Sequence, residues 1–374
     1  MRRNPNHRKE CPMPHSRRSV LAMAAGLAVG PVGAQAPGDL PLWAAAQQNG
    51  IAFGASAAWE ILRDADYAEL HRRHSRLLVT DLAMKFDYLR PSEEVFAFEQ
   101  ADALLAFARE NGMPFRGHTL FWNDYPPRWL LGKNAREIER IFDTHLEVVA
   151  TRYAGAMQSW DVVNEPLWPD SGMPGGFRRG PWYDAMGENY IFRAFERIAK
   201  IDTTAKLVLN EAFTEQDDHL GRSVRRHFLP LVDRMLDKGL KLDAIGLQAH
   251  LKPGLAFDID AFLRFIEEIG RRKLEIYLTE FDVDDQHFAR EIPVRDADVA
   301  RFGEAFLAPV LKNKAVKALI TWHLSDRYTW YREPGVAARR VRNFPARPLP
   351  FDEAMREKPL ATAMRRALLA AGRR

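Results

Sequence analysis

The feature that most constrains the fold of this chain is a repeated alternation of short apolar runs with longer amphipathic stretches. Eight runs have the length and composition of buried strands, and they occupy residues 51–55, 77–81, 115–119, 159–164, 206–210, 244–248, 275–279 and 318–321. Between them, apolar residues recur at helical spacing, most clearly in residues 98–111, 135–153, 190–201, 223–238, 260–272 and 299–311. Strands that alternate with helices build a parallel sheet, and eight such units predict an α/β fold of the (β/α)8 TIM barrel type.

An open, doubly wound sheet is the alternative architecture. Sheets of that kind that bind dinucleotides carry a glycine-rich turn after the first strand, and no such turn follows residues 51–55. No long linker rich in Ser, Thr, Gly or Pro interrupts residues 40–374. We therefore expect residues 37–374 to form a single barrel domain.

The first 36 residues have the order of an export signal rather than of a folded element. Four basic residues precede the pair Arg17-Arg18, and a 13-residue apolar run at 20–32 leads to small residues up to Ala36. This order predicts a twin-arginine signal peptide and a periplasmic or secreted protein, with a disordered basic tail as the alternative. The apolar run contains two glycines and a proline, and it is too short to anchor the protein in a bilayer.

The positive charge of the whole chain belongs to this leader. It contains six Lys or Arg and one acidic residue, so its removal changes the formal net charge from +4 to −1. The remaining chain has no basic excess of the kind that nucleic-acid binding requires. Cys11 is the only cysteine and also lies in the leader, which excludes disulfides, catalytic thiolates and cysteine-bound zinc from the exported chain.

Polar and aromatic residues collect where the predicted strands end. Barrel enzymes place their active sites at the C-terminal ends of the strands. At or just beyond those ends lie Asp81, Lys85, His118, Trp122, Asn164, Glu165, Asn210, Glu211, Gln248, His250, Glu280, Asp282 and Trp322. This set, rich in acids, amides and aromatic rings, predicts a polar binding cleft at the barrel mouth.

Two acids in this set are distinguished by their spacing. Glu165 follows the fourth predicted strand and Glu280 the seventh, so the two face each other across the barrel mouth. Hydrolysis of a glycosidic bond uses such a pair, in which one carboxyl group donates a proton and the other supports the sugar cation. An acid at a helix start often serves only as a cap, but the neighbouring Asn164 can bind a sugar hydroxyl and Asp282 follows Glu280 at alternate spacing.

A histidine on the preceding strand can support this second acid. His250 repeats the alternate-residue geometry of Glu280 and Asp282, and it can bridge their two carboxylates. Such a bridge would fix the histidine tautomer and orient the acid. A structural histidine satisfied by backbone groups is the alternative.

Aromatic and basic residues supply the other expected contacts. Trp122, Trp322 and Trp330 can pack an apolar ring face against a sugar, although tryptophan more often belongs to the core. Lys85 and His118 can form salt bridges or caps, but their position at the rim favours binding of sugar hydroxyls.

Seven motifs, in this order, resemble glycoside hydrolase family 10, the barrel endo-β-1,4-xylanases. They are Met84-Lys85, residues 116–122, 160–166, 247–251 and 279–283, Trp322 with Ser325-Asp326, and residues 347–352. The resemblance runs from about residue 42 to the C-terminal helix. It implies a catalytic barrel that hydrolyses internal β-1,4-xylosidic bonds of xylan or xylo-oligosaccharides and needs no cofactor or metal.

The resemblance also implies roles for single residues. Glu165 is then the acid/base and Glu280 the nucleophile of a retaining double displacement, in which the two carboxyl groups lie about 5–5.5 Å apart. The sugar bonded to the nucleophile would contact Asn164, Gln248, His118 and Trp122, and the neighbouring sugar would contact Lys85.

The chain departs from the family pattern beside these residues. Asp81-Leu82 stand where family members usually have Glu-Asn, Asn123 replaces a histidine, and His323 replaces a glycine. A shortened carboxylate and a lost amide predict weaker or altered binding of sugars on the non-reducing side. A related β-1,4-glycanase or a glycosidase acting on short or decorated oligosaccharides is therefore the alternative function.

Two further alternatives belong to other classes. Asp81, Glu165, Glu211 and Glu280 could cradle Mg²⁺ or Zn²⁺ in a metal-assisted barrel enzyme, but these acids are interleaved with amides and tryptophans and no His-Glu-x-x-His motif is present. A sugar-binding protein without catalysis could keep the same cleft. The presence of both glutamates favours the enzyme.

Overall fold

Parallel strands form the centre of the structure. The computed structural model describes residues 40–342 and 344–374, so the predicted export signal at residues 1–36 lies outside the described residues. Within those ranges the strands are β1 (Ala52–Ala57), β2 (Leu78–Thr80), β3 (Phe115–Trp122), β4 (Ser159–Asn164), β5 (Lys206–Glu211), β6 (Ala244–Leu247), β7 (His250–Leu251), β8 (Glu275–Val283) and β9 (Val316–Thr321).

These strands close into a barrel. Their order is β6-β5-β4-β3-β2-β1-β9-β8-β7, and an additional parallel pairing of β6 with β8 joins the two ends. The short strand β7 continues the line of β6 and pairs His250 with Asp282 of β8. Eight strands thus complete the circle, which confirms the predicted TIM barrel and excludes the open sheet.

Helices follow most of the strands and cover the outside of the barrel. They are α1 (Leu42–Gln47), α2 (Ala65–His74), α3 (Phe86–Leu89), α4 (Glu99–Glu110), α5 (Ala135–Tyr153), α6 (Pro181–Met186), α7 (Asn189–Ile201), α8 (His219–Asp237), α9 (Ile259–Arg271), α10 (Ile292–Val310), α11 (Pro334–Ala337) and α12 (Pro359–Leu369). Short 3₁₀ turns occupy Trp59–Leu62, Arg128–Leu130, Pro169–Ser171, Pro174–Gly176, Asp326–Tyr328 and Trp330–Arg332. In the described part of the chain, no helix is long and apolar enough to cross a membrane.

Local sequence signals explain several element ends. Asn134 and Glu137 form a reciprocal capping box at the start of α5, which begins at the predicted residue. Asp218 accepts from the backbone N–H of Gly221 and starts α8 four residues before the predicted boundary. Helix α10 begins seven residues earlier than predicted, with a proline in its first turn, where the missing N–H costs no hydrogen bond.

Four strands extend beyond their predicted ends, and the two longest extensions, those of β3 and β8, reach the site. Strand β3 continues to Trp122, which pairs with Asn164, and β8 continues to Val283. Trp122 and Glu280 therefore lie on strands, not beyond them as predicted. In β8, Glu280 and Asp282 interrupt the apolar run and mark an end that the strand does not have. The residues added to β3, Leu120-Phe121-Trp122, are apolar, so polarity does not explain that difference.

The core has two parts. A large apolar cluster lies between the strands and the helices, and a smaller cluster, contributed by the strands, includes Val79, Val208, Tyr277, Ile320 and Trp322. Because side chains alternate between the two faces of a strand, the smaller cluster fills the barrel interior. Trp322 belongs to this interior layer and also faces the cleft above it, so the core directly supports the site.

Close packing between β3 and β4 gives a test of this fold. A Cβ atom on Gly117 would lie 2.3 Å from Cε3 of Trp160, which is fully buried. We expect Gly117→Ala to lower the free energy of unfolding by about 1–3 kcal/mol through overpacking. Gly335→Ala is the control, since a Cβ there meets nothing within 4 Å. Equal urea-unfolding midpoints for both variants would contradict the packing described.

Candidate active site

The strand ends open into one cleft of about 470 Å³. Eleven of the residues predicted to form the site line this cleft: Asp81, Lys85, His118, Trp122, Asn164, Glu165, Gln248, His250, Glu280, Trp322 and Trp330. Asn210, Glu211 and Asp282 of the predicted set do not line it. Asp282 has no exposed surface and lies behind His250. The barrel thus brings together residues that are up to 249 positions apart in the sequence.

A chain of amides connects the two glutamates. Asn210 donates from Nδ2 to Oε1 of Glu280 and to Oδ1 of Asn164, both at 2.8 Å. Gln248 donates from Nε2 to Oε1 of Glu165 at 2.8 Å. These donors come from β5 and from the end of β6, so the neighbouring strands fix the positions of both carboxylates.

His250 bridges the two acids of β8. Its Nδ1 lies 2.9 Å from Oδ2 of Asp282 and its Nε2 lies 3.1 Å from Oε2 of Glu280. Burial alone would lower the pKa of His250, but the two carboxylates raise it to about 10. A protonated imidazolium donates to both acids and offsets part of their negative charge.

Asp282 is itself held from a second side. Trp330 donates from Nε1 to Oδ2 of Asp282 at 2.8 Å, and the Tyr331 hydroxyl donates to Oδ1 at 3.3 Å. Trp330 therefore lines the cleft with its ring, and its N–H holds Asp282, the carboxylate that pairs with His250. Tyr331 was not predicted as a site residue; it follows Trp330 in a short 3₁₀ turn after the last strand.

Glu165 adopts an unusual backbone conformation. Its φ of 48° lies in the left-handed region, which is uncommon for residues other than glycine. Its backbone N–H donates to the carbonyl of Asn210 at 2.8 Å, and Arg178 binds its side chain at 2.7 Å. Arg178 was missed in the sequence, where the Pro/Gly-rich residues 169–181 predict only a loop over the cleft.

Comparison with known proteins decides the family. A family model described as glycosyl hydrolase family 10 matches residues 42–367. The chain belongs to glycosyl hydrolase family 10. This membership confirms the resemblance drawn from the seven motifs and identifies the protein as a glycoside hydrolase.

Relatives with known names cover most of the chain. The beta-1,4-xylanase of Dictyoglomus thermophilum is 32% identical over 289 residues, which are 74% of this chain and 79% of that protein. The thermostable celloxylanase of Thermoclostridium stercorarium is 30% identical over 321 residues, 78% of this chain and 79% of that protein. The crystal structure of xylanase 10B from Thermotoga petrophila RKU-1 in complex with xylobiose has a TM-score of 0.78 and 28% identity, and the match covers 88% of this chain and 97% of that one.

Aromatic rings and one lysine form a separate wall of the family 10 cleft. Lys85 places its Nζ 5.5 Å from the ring centre of Trp122 and 5.8 Å from that of Trp322. His118 packs against Trp322 at 5.3 Å and directs Nδ1 to Asp161 at 2.9 Å. The wall can therefore offer apolar ring faces and a cationic donor to the same ligand.

Two departures from the family pattern contact each other in the structure. His323 directs Nε2 to Oδ2 of Asp81 at 3.1 Å, and Lys85 lies 3.5 Å from Oδ1. Burial would raise the pKa of Asp81, but Lys85 and His323 hold it below its usual range. The shortened carboxylate is thus ionised and paired, while Leu82 presents an apolar side chain to the cleft.

The third departure does not face the cleft. The Oδ1 atom of Asn123 accepts from the backbone N–H groups of Trp182 and Tyr183 at 3.1 and 3.3 Å, at the start of α6. Asn123 is 3% exposed and is not among the residues that line the cleft. Asn123 therefore caps the start of α6 and is not part of the cleft surface.

The four acids considered for a metal site have separate partners. Asp81 pairs with Lys85 and His323, whereas Glu211 accepts from the backbone N–H groups of Leu167 and Ala212. Among the residues the structure describes, no group of three or more His, Cys, Asp and Glu side chains could hold a metal ion. The described geometry therefore does not assemble the cradle of the metal-assisted alternative.

The charge on His250 makes stability depend on pH. Its folded pKa of about 10 exceeds its ordinary value of 6.5, so the folded chain holds this proton more tightly than the unfolded chain. The resulting stabilisation is complete below about pH 6.5 and is lost as the pH rises towards 10. We expect the gap in unfolding free energy between the wild type and His250→Gln to be largest at pH 6 and to shrink by pH 9, measured by urea unfolding.

The matched control is His219→Gln, because the His219 side chain is 87% exposed. This variant should differ little from the wild type at every pH. A gap for His250→Gln that stays constant from pH 6 to pH 9 would contradict a charged His250.

Proposed function

We propose that the protein is a retaining endo-β-1,4-xylanase that cleaves internal bonds of xylan or xylo-oligosaccharides. The observation that carries this proposal is the pair Glu165 and Glu280, which line one cleft from opposite sides of the barrel. Membership of family 10 supports it, and so do the names of the related xylanases. Glu165 is assigned as the acid/base and Glu280 as the nucleophile.

The first step transfers the sugar to the enzyme. An oxygen of Glu280 attacks the anomeric carbon while Glu165 donates its proton to the glycosidic oxygen, and the bond to the leaving sugar breaks. Asn210 and His250 hold Glu280 at both oxygens, so the nucleophile is oriented before substrate arrives. The products of this step are a neutral glycosyl ester on Glu280 and a leaving fragment with a new non-reducing end; the new reducing end is set free only when water cleaves the ester.

The second step returns the enzyme to its starting state. Glu165 is now a carboxylate and takes a proton from water, and the oxygen of that water attacks the anomeric carbon and releases Glu280. Two displacements on the same carbon restore the original β configuration. The reaction uses only groups of the chain and water.

Residues around the pair can orient the sugars. Asn164 and Gln248 present amides beside Glu165, where they can also bind sugar hydroxyls. The wall formed by Trp122, Trp322 and Lys85 suits a sugar ring with one apolar face and several hydroxyls. His118 and Trp330 complete the cleft beside this wall.

Leu82 favours one alternative within the same chemistry. It lines the cleft beside Asp81, at the position where the family usually carries an amide. Weaker binding of the non-reducing-side sugars would favour short or decorated oligosaccharides or a related β-1,4-glycan. The name celloxylanase of one relative is compatible with such a broadened substrate range.

We also infer that the protein is exported. The order of basic residues, twin arginine, apolar run and small residues in residues 1–36 supports a twin-arginine signal. Xylan is a polymer that an enzyme meets outside the cytoplasm, so export agrees with the proposed substrate. A reporter fused to residues 1–36 should be transported out of the cytoplasm. The double substitution Arg17→Lys and Arg18→Lys in the fusion should abolish this transport.

Substitution of the two glutamates tests the assigned roles. Glu165→Gln should lower kcat/KM on xylan by about 10²- to 10⁴-fold, and Glu280→Gln should abolish turnover. With an aryl xylobioside, whose leaving group needs little protonation, Glu165→Gln should slow the first step much less than it does with xylan. Glu333→Gln is the control, since Glu333 lines the same cleft without an assigned role. Unchanged turnover in either active-site variant would remove the corresponding assignment.

Restoring the family amide tests the substrate range. Leu82→Asn should lower KM and raise kcat/KM on xylotetraose by about three- to tenfold, the effect of one or two added hydrogen bonds. Val336→Asn adds an amide at another apolar residue that lines the cleft and should have a smaller effect. Identical kinetics of Leu82→Asn and the wild type would refute altered binding at this position.

A further inference from the structure

Arg178 contacts both the side chain and the backbone of Glu165. It is only 9% exposed and lies in the loop that leaves β4. Its Nη2 donates to Oε2 of Glu165 at 2.7 Å, and its Nε donates to the Glu165 carbonyl oxygen at 3.0 Å. Its Nη1 donates to Oδ2 of Asp124 at 2.9 Å. Three directed hydrogen bonds thus fix the plane of the guanidinium group.

The backbone contact explains how Glu165 keeps its left-handed conformation. A non-glycine residue at a φ of 48° is strained unless its surroundings hold it in place. The hydrogen bond that the Glu165 N–H donates to Asn210 and the one that Arg178 donates to the Glu165 carbonyl secure the two peptide groups that flank this residue. Arg178 therefore positions the side chain of Glu165 as well as pairing with it.

The side-chain contacts also bear on the charge of Glu165. Oε1 accepts from the amide of Gln248 and Oε2 accepts from Arg178. Both donors are N–H groups, and a carboxylate satisfies both, whereas a carboxylic acid would present its own proton to one of them. The arrangement thus fits the form of Glu165 that acts as base in the second step and opposes the form that acts as acid in the first.

We propose that Arg178 is a positioning residue that controls how readily Glu165 takes up the catalytic proton, an inference that rests on the acid/base role assigned above. The nearby positive charge favours the carboxylate. Protonation for the first step then requires Glu165 to loosen its pair with Arg178. The same pair stabilises the carboxylate that must accept a proton from water in the second step.

Asp124 moderates this effect. Its side chain is 46% exposed and lines the cleft, and its carboxylate shares the Arg178 guanidinium with Glu165. The negative charge of Asp124 offsets part of the positive potential that Arg178 exerts on Glu165. Arg178 and Asp124 therefore act on the protonation of Glu165 in opposite directions.

Other ionisable groups lie near Glu165, and substitution of Arg178 or Asp124 leaves them unchanged. Glu211 reaches towards it from β5, and burial raises the pKa of Glu211 well above its usual value. The remaining ionisable groups that share its cleft are Asp81, Lys85, Asp87, Tyr88, His118, Tyr125, His250, Lys252, Glu280, Glu333 and Arg339. Substitutions at residues 178 and 124 leave all of these in place.

The test compares Arg178→Met, Arg178→Lys and Asp124→Asn with the wild type. The readout is the pH profile of kcat/KM on xylotetraose, whose basic limb reports loss of the proton from the acid that serves the first step. Arg178→Met should move this limb upward, because it removes the positive charge 2.7 Å from the Glu165 carboxylate. Arg178→Lys should move it less, and Asp124→Asn should move it downward.

Opposite shifts for Arg178→Met and Asp124→Asn would support the proposal. An unmoved basic limb in both, or shifts in the same direction, would overturn it. If Arg178→Met fails to fold, the downward shift of Asp124→Asn and the smaller upward shift of Arg178→Lys decide the question. Failure of the acid/base role itself is a separate result, because it would appear as unchanged xylan turnover in Glu165→Gln.

Discussion

Two carboxylates share one cleft in this protein, and the geometry of the site depends on the donors that hold them there. Asn210 and His250 bind Glu280, whereas Gln248 and Arg178 bind Glu165. Each donor comes from a strand end or from a loop attached to one. The repulsion between the two acids is thereby countered by groups whose positions the barrel fixes.

Closure of the barrel makes this arrangement possible. The pairing of β6 with β8 brings His250 of β7 against Asp282, and the pairing of β1 with β9 brings the first and last strands together. The pairing of β1 with β9 also brings His323 next to Asp81, from which it is 242 positions distant in the sequence. His323 has a φ of 70°, in the left-handed region, and its hydrogen bond to Asp81 holds this strained residue in place.

The sequence predicted the architecture well because its signals are local. Strand β4 and helix α5 have the predicted bounds, since an apolar run and a capping box define them without tertiary contacts. The end of β8 was predicted too early because Glu280 and Asp282 interrupt the apolar pattern while the strand goes on pairing. Glu165 and Glu280 were selected by their strand spacing together with the neighbouring Asn164 and Asp282.

Contacts made by loops could not be predicted in the same way. Arg178 binds Glu165 because the segment after β4 folds back on itself, with the Arg178 N–H donating to the Pro166 carbonyl at 2.7 Å. No periodicity marks such a turn. Asp81 and His323 were both recognised as departures from the family pattern, but their pairing depends on a closure that is distant in sequence.

The anomeric configuration of the first product tests the central claim most directly. Hydrolysis of a xylo-oligosaccharide followed by NMR from the first minutes distinguishes the two anomers before they interconvert. A retaining pair at Glu165 and Glu280 predicts that the β-anomer appears first and the α-anomer only later, by mutarotation. Initial release of the α-anomer would show an inverting reaction and would contradict the account.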